Sequence, residues 1–148
     1  MHDYTLPMSD SVEVSKYKGG CMCGRTRFII FDQHGLATYC HCDDCRTSTG
    51  AAVSAFVGFE TTHLVWQGEP LKQYRSSPTV ARGFCPECGT SLTYADEQLP
   101  NSICFYVSVF DDPDSLPMIN HGYVERKLMW LKIDDNLPHN TGTAAPRD

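Results

Sequence analysis

Hydrophobic residues along the chain fall in short runs separated by turn residues. Alternating or β-rich stretches lie at Arg25 to Phe31, Ala52 to Phe59, Leu64 to Trp66, Leu71 to Arg75, Ser91 to Tyr94, Ile103 to Phe110 and Tyr123 to Ile133. An extended chain points successive side chains to opposite faces, so these runs predict half-buried strands. Gly19-Gly20, Gly35, Gly68-Glu69-Pro70, Ser77-Pro78, Leu99-Pro100-Asn101 and the stretch from Asp111 to Pro117 supply the breaks. No segment holds an apolar period of about 3.6 residues over three turns, so helix is expected to be short. The best candidate is Asp43 to Gly50, with a second at Pro113 to Met118. The expectation is a mainly β domain over residues 17–139, a flexible N-terminal segment at 1–16 and a polar C-terminal tail at 140–148.

The cysteines change that picture most. Of the 8 Cys, seven fall in three clusters: Cys21-Met22-Cys23, Cys40-His41-Cys42-Asp43-Asp44-Cys45 and Cys85-Pro86-Glu87-Cys88. Zinc favours a tetrahedron of thiolates at about 2.3 Å, and two Cys one or two residues apart in a tight turn can aim both sulfurs at one ion. Gly24 and Gly89 follow the outer pairs directly, each allowing a sharp turn beside a metal. The outer pairs together make four sulfurs and a closed structural site, clamping chain segments about sixty residues apart. Free thiols in strands are the alternative reading of these pairs.

The middle cluster offers three sulfurs from one short segment, which leaves a position open, as catalytic zinc requires. His41, Asp43 or Asp44 could instead complete that tetrahedron and make it structural, although His41 lies between two ligands and is expected to point away. A zinc ion with three thiolates carries a net negative charge and is a poor activator of water, which argues against hydrolysis. Soft thiolate ligands suit an incoming thiol, so the natural substrate is a thiol or its adduct.

Composition narrows the partners. The 148 residues fit one domain, and a 41% hydrophobic share suffices for a core. The formal charge of −6 and the lack of a basic stripe disfavour nucleic acid. Ile103 to Phe110, the longest apolar run, is interrupted by Ser108 and is too short to span a bilayer. The N-terminal residues lack the basic and apolar regions of a secretory leader, so a cytoplasmic location is expected, where thiols stay reduced and available to metal. Exposed strand edges would permit a homodimer.

Of the remaining candidates, Arg46, Ser48 and Thr49 could contact a substrate carboxylate or a metal-held sulfur, or simply cap a solvated loop. Arg82 could reach the same cleft or lie exposed on a strand. Cys104, alone in an apolar strand, reads as a small buried hydrophobe. His121 reads as a turn residue or a site residue. His2, His34, His63 and His139 carry no ligand spacing and are expected to face solvent, and Phe56, Phe59, Trp66 and Trp130 alternate with smaller or polar residues as core or cleft walls would, core being the preferred reading.

The motifs Gly19-Gly20-Cys21-Met22-Cys23-Gly24, Cys40 to Arg46 followed by Gly50, and Phe84-Cys85-Pro86-Glu87-Cys88-Gly89-Thr90 resemble those of the glutathione-dependent formaldehyde-activating enzyme family, whose domain also occurs in centromere protein V. The stretch from His121 through Trp130 to Pro138 resembles that family's closing segment. The resemblance implies a Mss4-like β-tent of short antiparallel strands stapled by zinc. It places Cys21, Cys23, Cys85 and Cys88 on a structural zinc and Cys40, Cys42 and Cys45 on a catalytic one, two ions per chain. It also implies a carbon–sulfur lyase activity joining glutathione, or a related small thiol, to formaldehyde. A non-catalytic zinc-folded module for a protein or peptide partner is the alternative, and an oxidation-sensitive zinc switch at the middle cluster is a third.

Overall fold

The computed structural model describes residues 16–33 and 35–143. Among these residues ten strands form two sheets. The smaller holds β1 (Lys16–Gly20), β2 (Thr26–Phe31) and β5 (Leu64–Gly68), antiparallel in the order β1-β2-β5. The larger holds β3 (Ala37–Cys40), β4 (Ser54–Glu60), β6 (Lys72–Arg75), β7 (Val80–Phe84), β8 (Ser91–Asp96), β9 (Ser102–Tyr106) and β10 (Asn120–Gly122). Its order is β10-β3-β4-β9-β8-β7-β6, antiparallel except where β10 joins β3. Among the described residues the α-helix is α1 (Asp43–Thr49), which matches the segment expected from sequence, and the protein is mainly β as expected.

The core lies between the sheets. Alternation along β2 turns Phe28 and Ile30 inward, and the Phe28 ring sits 4.3 Å, centroid to centroid, from Phe105 of β9. Val57, Leu92 and Phe110 complete the contact. Gly19 makes the close approach possible: a Cβ there would stand 2.2 Å from the Val109 carbonyl oxygen and 2.5 Å from the Phe28 ring.

The large sheet's other face carries a different row. Register aligns Arg82 with Tyr94, Tyr94 with Cys104, and Cys104 with Gly58 across β7, β8, β9 and β4. Next to it, Phe56 of β4 stacks on Tyr94 at 6.2 Å. This face, turned away from the core, forms the wall of the clefts described below.

Several expectations change. Tyr123 to Ile133 is not a strand: Tyr123 adopts a left-handed φ of 54°, a 3-10 turn follows at Val124–Arg126, and the consecutive apolar residues Leu128 to Leu131 lack strand alternation. Ile103 to Phe110 ends as strand at Tyr106 and continues as a 3-10 turn. Pro113 to Met118 holds only a 3-10 turn at Pro113–Ser115. Strands β1, β3, β7 and β10 were not anticipated, being short or, in β1, rich in Lys and Gly. Phe59 is core, but Trp130 is 70% exposed and Trp66 42% exposed, against the expectation of burial. Residues 1–15 of the expected N-terminal segment, 144–148 of the tail, and His2 and His34 lie outside the described residues. Within the tail, the Gly142 carbonyl accepts from the Tyr123 amide and that of Asn140 from the Val124 amide. Among the described residues no helix is long and apolar enough to cross a membrane.

Candidate metal centre

Cys21 and Cys23 stand in the β1–β2 turn, Cys85 and Cys88 in the β7–β8 turn, and the two turns are built alike. In the first, the Cys21 amide donates to the Thr26 carbonyl and the Gly24 amide to the Cys21 carbonyl; in the second, Cys85 donates to Thr90 and Gly89 to Cys85. Gly24 and Gly89 have φ of 78° and 74°, where a side chain would be strained. Each turn therefore presents two sulfurs on one side, and the sulfurs of all four residues lie within 4.8 Å of one another. Cys21 Sγ is 3.5 Å from Cys23 Sγ, which is 3.8 Å from Cys85 Sγ. Zinc–sulfur bonds of about 2.3 Å in a tetrahedron give sulfur–sulfur edges of about 3.8 Å, whereas a disulfide would need about 2.05 Å. The quartet fits a thiolate-held metal. It also joins the smaller sheet to the larger, because one turn belongs to each.

The trio has another origin. Cys40 ends β3, Cys42 caps α1 and Cys45 lies in the first turn of the helix, so one segment of six residues brings the three sulfurs within 4.8 Å. Cys42 has extended backbone (φ −66°, ψ 154°), and its Sγ accepts from the Cys45 amide at 3.4 Å. Cys40 Sγ donates to Cys42 Sγ at 3.3 Å. Hydrogen bonds from the thiols of Cys40 and Cys45 hold Cys42 well below the usual thiol range, and donation to Cys42 pushes Cys40 up. This trio also fits a soft metal; Cys104 lines the same cleft but stands outside the group of sulfurs within 4.8 Å of one another.

Arg82 is the residue that sequence left undecided between cleft and solvent. It is 9% exposed, and its guanidinium lies 3.8 Å from Cys45 Sγ. It donates at 3.0 Å to each of Ser48 Oγ, Tyr106 Oη and Ser76 Oγ, and stacks 5.2 Å from the Tyr94 ring centroid. Among the described residues no carboxylate forms an ion pair with this buried cation, and Cys45 Sγ stands beside it.

A second buried chain reaches the trio from behind. His41 and His121 are 0% and 2% exposed; His41 Nε2 lies 2.9 Å from His121 Nδ1, and His121 Nε2 lies 3.0 Å from Asp135 Oδ2. A carboxylate only accepts, so His121 Nε2 carries its proton, His121 Nδ1 accepts, and His41 Nε2 donates. Burial, followed by the neighbouring His121, lowers His41 to about 4, which keeps it neutral. His41 accordingly points away from the sulfurs. His139, expected in solvent, is exposed but sits with its ring 4.6 Å from that of His121. His63 pairs with Asp32 at 2.9 Å.

The other candidates fall into place by contact. Arg46 donates to the His41 carbonyl and pairs with Asp43, which also binds Arg126, so these groups brace the trio's segment rather than face the cleft. Asp43 is thereby committed to arginines and does not complete the trio. Ser48 and Thr49 both donate to the Cys45 carbonyl. Cys104 is half-buried on the cleft face, not in the core, and burial pushes its thiol up to about 12.

Two sheets joined by a sulfur quartet, with a sulfur trio opening on a cleft, define a mainly β protein with two cysteine clusters that could hold metal. The sequence profile of the glutathione-dependent formaldehyde-activating enzyme matches residues 16–126, and the chain belongs to that family. A Schizosaccharomyces pombe protein named as an uncharacterized lyase is 32% identical over 82 residues, covering 54% of this chain and 58% of that protein's length. The chain is similar in fold to a crystal structure of a Rhodobacter sphaeroides protein, with a TM-score of 0.50 at 21% identity, covering 82% of this chain and 98% of that one.

Proposed function

We propose that the protein is a zinc-dependent carbon–sulfur lyase-type enzyme that joins a thiol of the glutathione type to a small aldehyde and, in reverse, releases both. The observation that carries this reading is the trio: three sulfurs from one segment within 4.8 Å of one another, with Cys104 outside that group, and a cleft of about 260 Å³ lined by all four cysteines together with Arg82. In this reading Cys21, Cys23, Cys85 and Cys88 hold one zinc for architecture, and Cys40, Cys42 and Cys45 hold a second. When bound there, zinc would stabilise an incoming thiol as its thiolate.

The chain's own residues supply orientation and charge balance. The Arg82 cation offsets the excess negative charge of three thiolates, and its fixed bonds to Ser48, Ser76 and Tyr106 keep it in place. A groove of about 510 Å³ on the Arg82 side, lined by Thr47, Ser48, Ser76, Ser91 and Tyr106, offers hydroxyls to the amides and carboxylates of a peptide thiol. In the reaction the thiol sulfur bonds to the carbonyl carbon, the carbon–oxygen double bond becomes single, and the thiol proton ends on the new hydroxyl. No oxidant is needed.

Exchange NMR with glutathione and formaldehyde tests the reading. Wild-type protein loaded with zinc should accelerate exchange between free and joined forms, and Cys42→Ser should lower that acceleration at least a hundredfold. Equal rates with and without the wild-type protein, for every thiol and aldehyde tried, would refute it.

A further inference from the structure

The cleft that the trio lines adjoins two unlike spaces, sharing Asp44, Ser76 and Arg82 with the first. On the Arg82 side lies the hydroxyl-lined groove. On the other, the 260 Å³ cleft runs into a cavity of about 630 Å³ that shares Cys40, Phe56, Leu99, Cys104 and Tyr123 with it. We infer that this larger cavity seats the carbonyl reactant, and that the preferred reactant is an aldehyde with an apolar body of several carbons. The inference rests on the lyase reading and names the substrate class of that same site.

Size is the first argument. Formaldehyde has two heavy atoms and needs about the room of two waters, roughly 60 Å³. A cavity of 630 Å³ falls instead in the range that holds whole organic ligands.

The walls are the second. Leu36, Phe56, Leu99, Pro100, Cys104 and Tyr123 surround the space, and among the described residues no lysine or arginine lines it. Asp32 and Glu60 stand in the same lining, with Asp32 bound to His63. Apolar walls with acidic groups among them favour an uncharged chain and disfavour a carboxylate.

Gly58 is the third. It lies in β4 between Val57 and Phe59, which face the core, so its missing side chain belongs to the cavity face. A Cβ there would meet only Cys104 Sγ and Ser102 Oγ, both at an ordinary 3.8 Å, and its φ lies outside the left-handed region. Neither backbone nor packing demands glycine. Glycine weakens a strand interior, and one recognised reason to keep it there is the close approach of a ligand.

The chemistry is the addition already described: sulfur to carbonyl carbon, thiol proton to carbonyl oxygen, with the alkyl group unchanged. It is tested on the zinc-loaded full chain with glutathione and the series formaldehyde, propanal, pentanal and heptanal, by exchange NMR. Acceleration over the uncatalysed reaction should rise about two- to fourfold per added methylene from propanal to heptanal. 5-Oxopentanoate should be at least tenfold slower than pentanal. Unreactive heptan-1-ol should shift the backbone amide signals of Phe56, Gly58, Leu99 and Cys104, a reading independent of turnover. Gly58→Leu should lower the heptanal-to-propanal ratio at least tenfold. Acceleration that is greatest with formaldehyde and flat or falling with chain length, or amides unmoved by heptan-1-ol, would overturn the inference and leave the lyase reading standing. No acceleration with any aldehyde would overturn both.

Discussion

The quartet and the trio use the same ligand chemistry in opposite ways. The quartet draws two sulfurs from each of two turns far apart in sequence, with Cys23 and Cys88 exposed and Arg25 and Glu87 pairing loosely at 3.6 Å beside them. The trio draws all its sulfurs from one segment, buries Cys40 and Cys45, and surrounds them with Arg82 on one side and the His41–His121–Asp135 chain on the other. A metal held between distant turns ties the sheets together. A metal held by one segment ties nothing distant, so its surroundings are free to serve chemistry.

The sharpest way to break this contrast is to remove one sulfur from each. Structural zinc supplies about 10–16 kcal/mol of apparent binding energy, more than a typical domain's stability margin. Cys85→Ser should therefore leave the chain unfolded at 25 °C, seen as loss of near-ultraviolet circular dichroism and of dispersed amide signals. Cys42→Ser should keep that dispersion while losing one zinc by mass spectrometry. A folded Cys85→Ser chain would reverse the roles assigned here.

Arg82 is next in size. Arg82→Met removes the charge and leaves Ser48, Tyr106 and Ser76 without their donor, at a stability cost of about 1–3 kcal/mol by denaturant titration. Activity should fall ten- to a hundredfold, and Arg82→Lys should restore only part of it, because an ammonium cannot reach three hydroxyls and a sulfur from one plane.

The histidine chain sharpens the comparison further. Asp135→Ala unties His121 and, through it, the segment between Cys40 and Cys42. Partners behind metal ligands are typically worth ten- to a hundredfold in affinity. Zinc release to a chromogenic chelator should become about tenfold faster for one ion and stay unchanged for the other.

How much of this was legible in the sequence follows from locality. The seven ligand candidates announce themselves because each pair or trio is contiguous, and the helix at Asp43 to Thr49 starts with acids and ends before a glycine at φ 68°. Arg82 was not readable as a buried partner, because only the β7–β8–β9 pairing carries it to Cys45 and Tyr106. Nor was His121, whose neighbour His41 lies 80 residues away. The parallel β10–β3 contact that aligns His121 with Tyr39 joins strands of three and four residues, too short to leave a periodic signal. Trp130 misled because an aromatic that alternates with smaller or polar residues resembles core, whereas it stands exposed in the irregular stretch that follows the 3-10 turn at Val124–Arg126.

The smallest expected effect lies on the central strand of the smaller sheet. Arg27 of β2 pairs with Asp111 through two bonds, 2.9 and 2.5 Å, and the hydrogen bond to Arg27 holds the Asp111 carboxyl below its ordinary range. A depressed carboxyl contributes stability above the ordinary carboxylate pKa and loses it as pH falls through the lowered value. Both side chains are more than a third exposed, so screening limits the pair to about 0.5 kcal/mol. Asp111→Asn should lower the melting temperature by about 1–2 °C at pH 7, with the same difference at pH 5, and the gap should shrink in high salt.

The central claim, that one metal serves architecture and another serves chemistry, is tested most directly by an anomalous-scattering map at the zinc edge from crystals holding a bound thiol. The account predicts two peaks per chain: one enclosed by Cys21, Cys23, Cys85 and Cys88, and one against Cys40, Cys42 and Cys45 with the ligand's sulfur as its fourth neighbour. A single peak at the quartet, or a trio peak completed by a protein side chain with the thiol elsewhere, would contradict it.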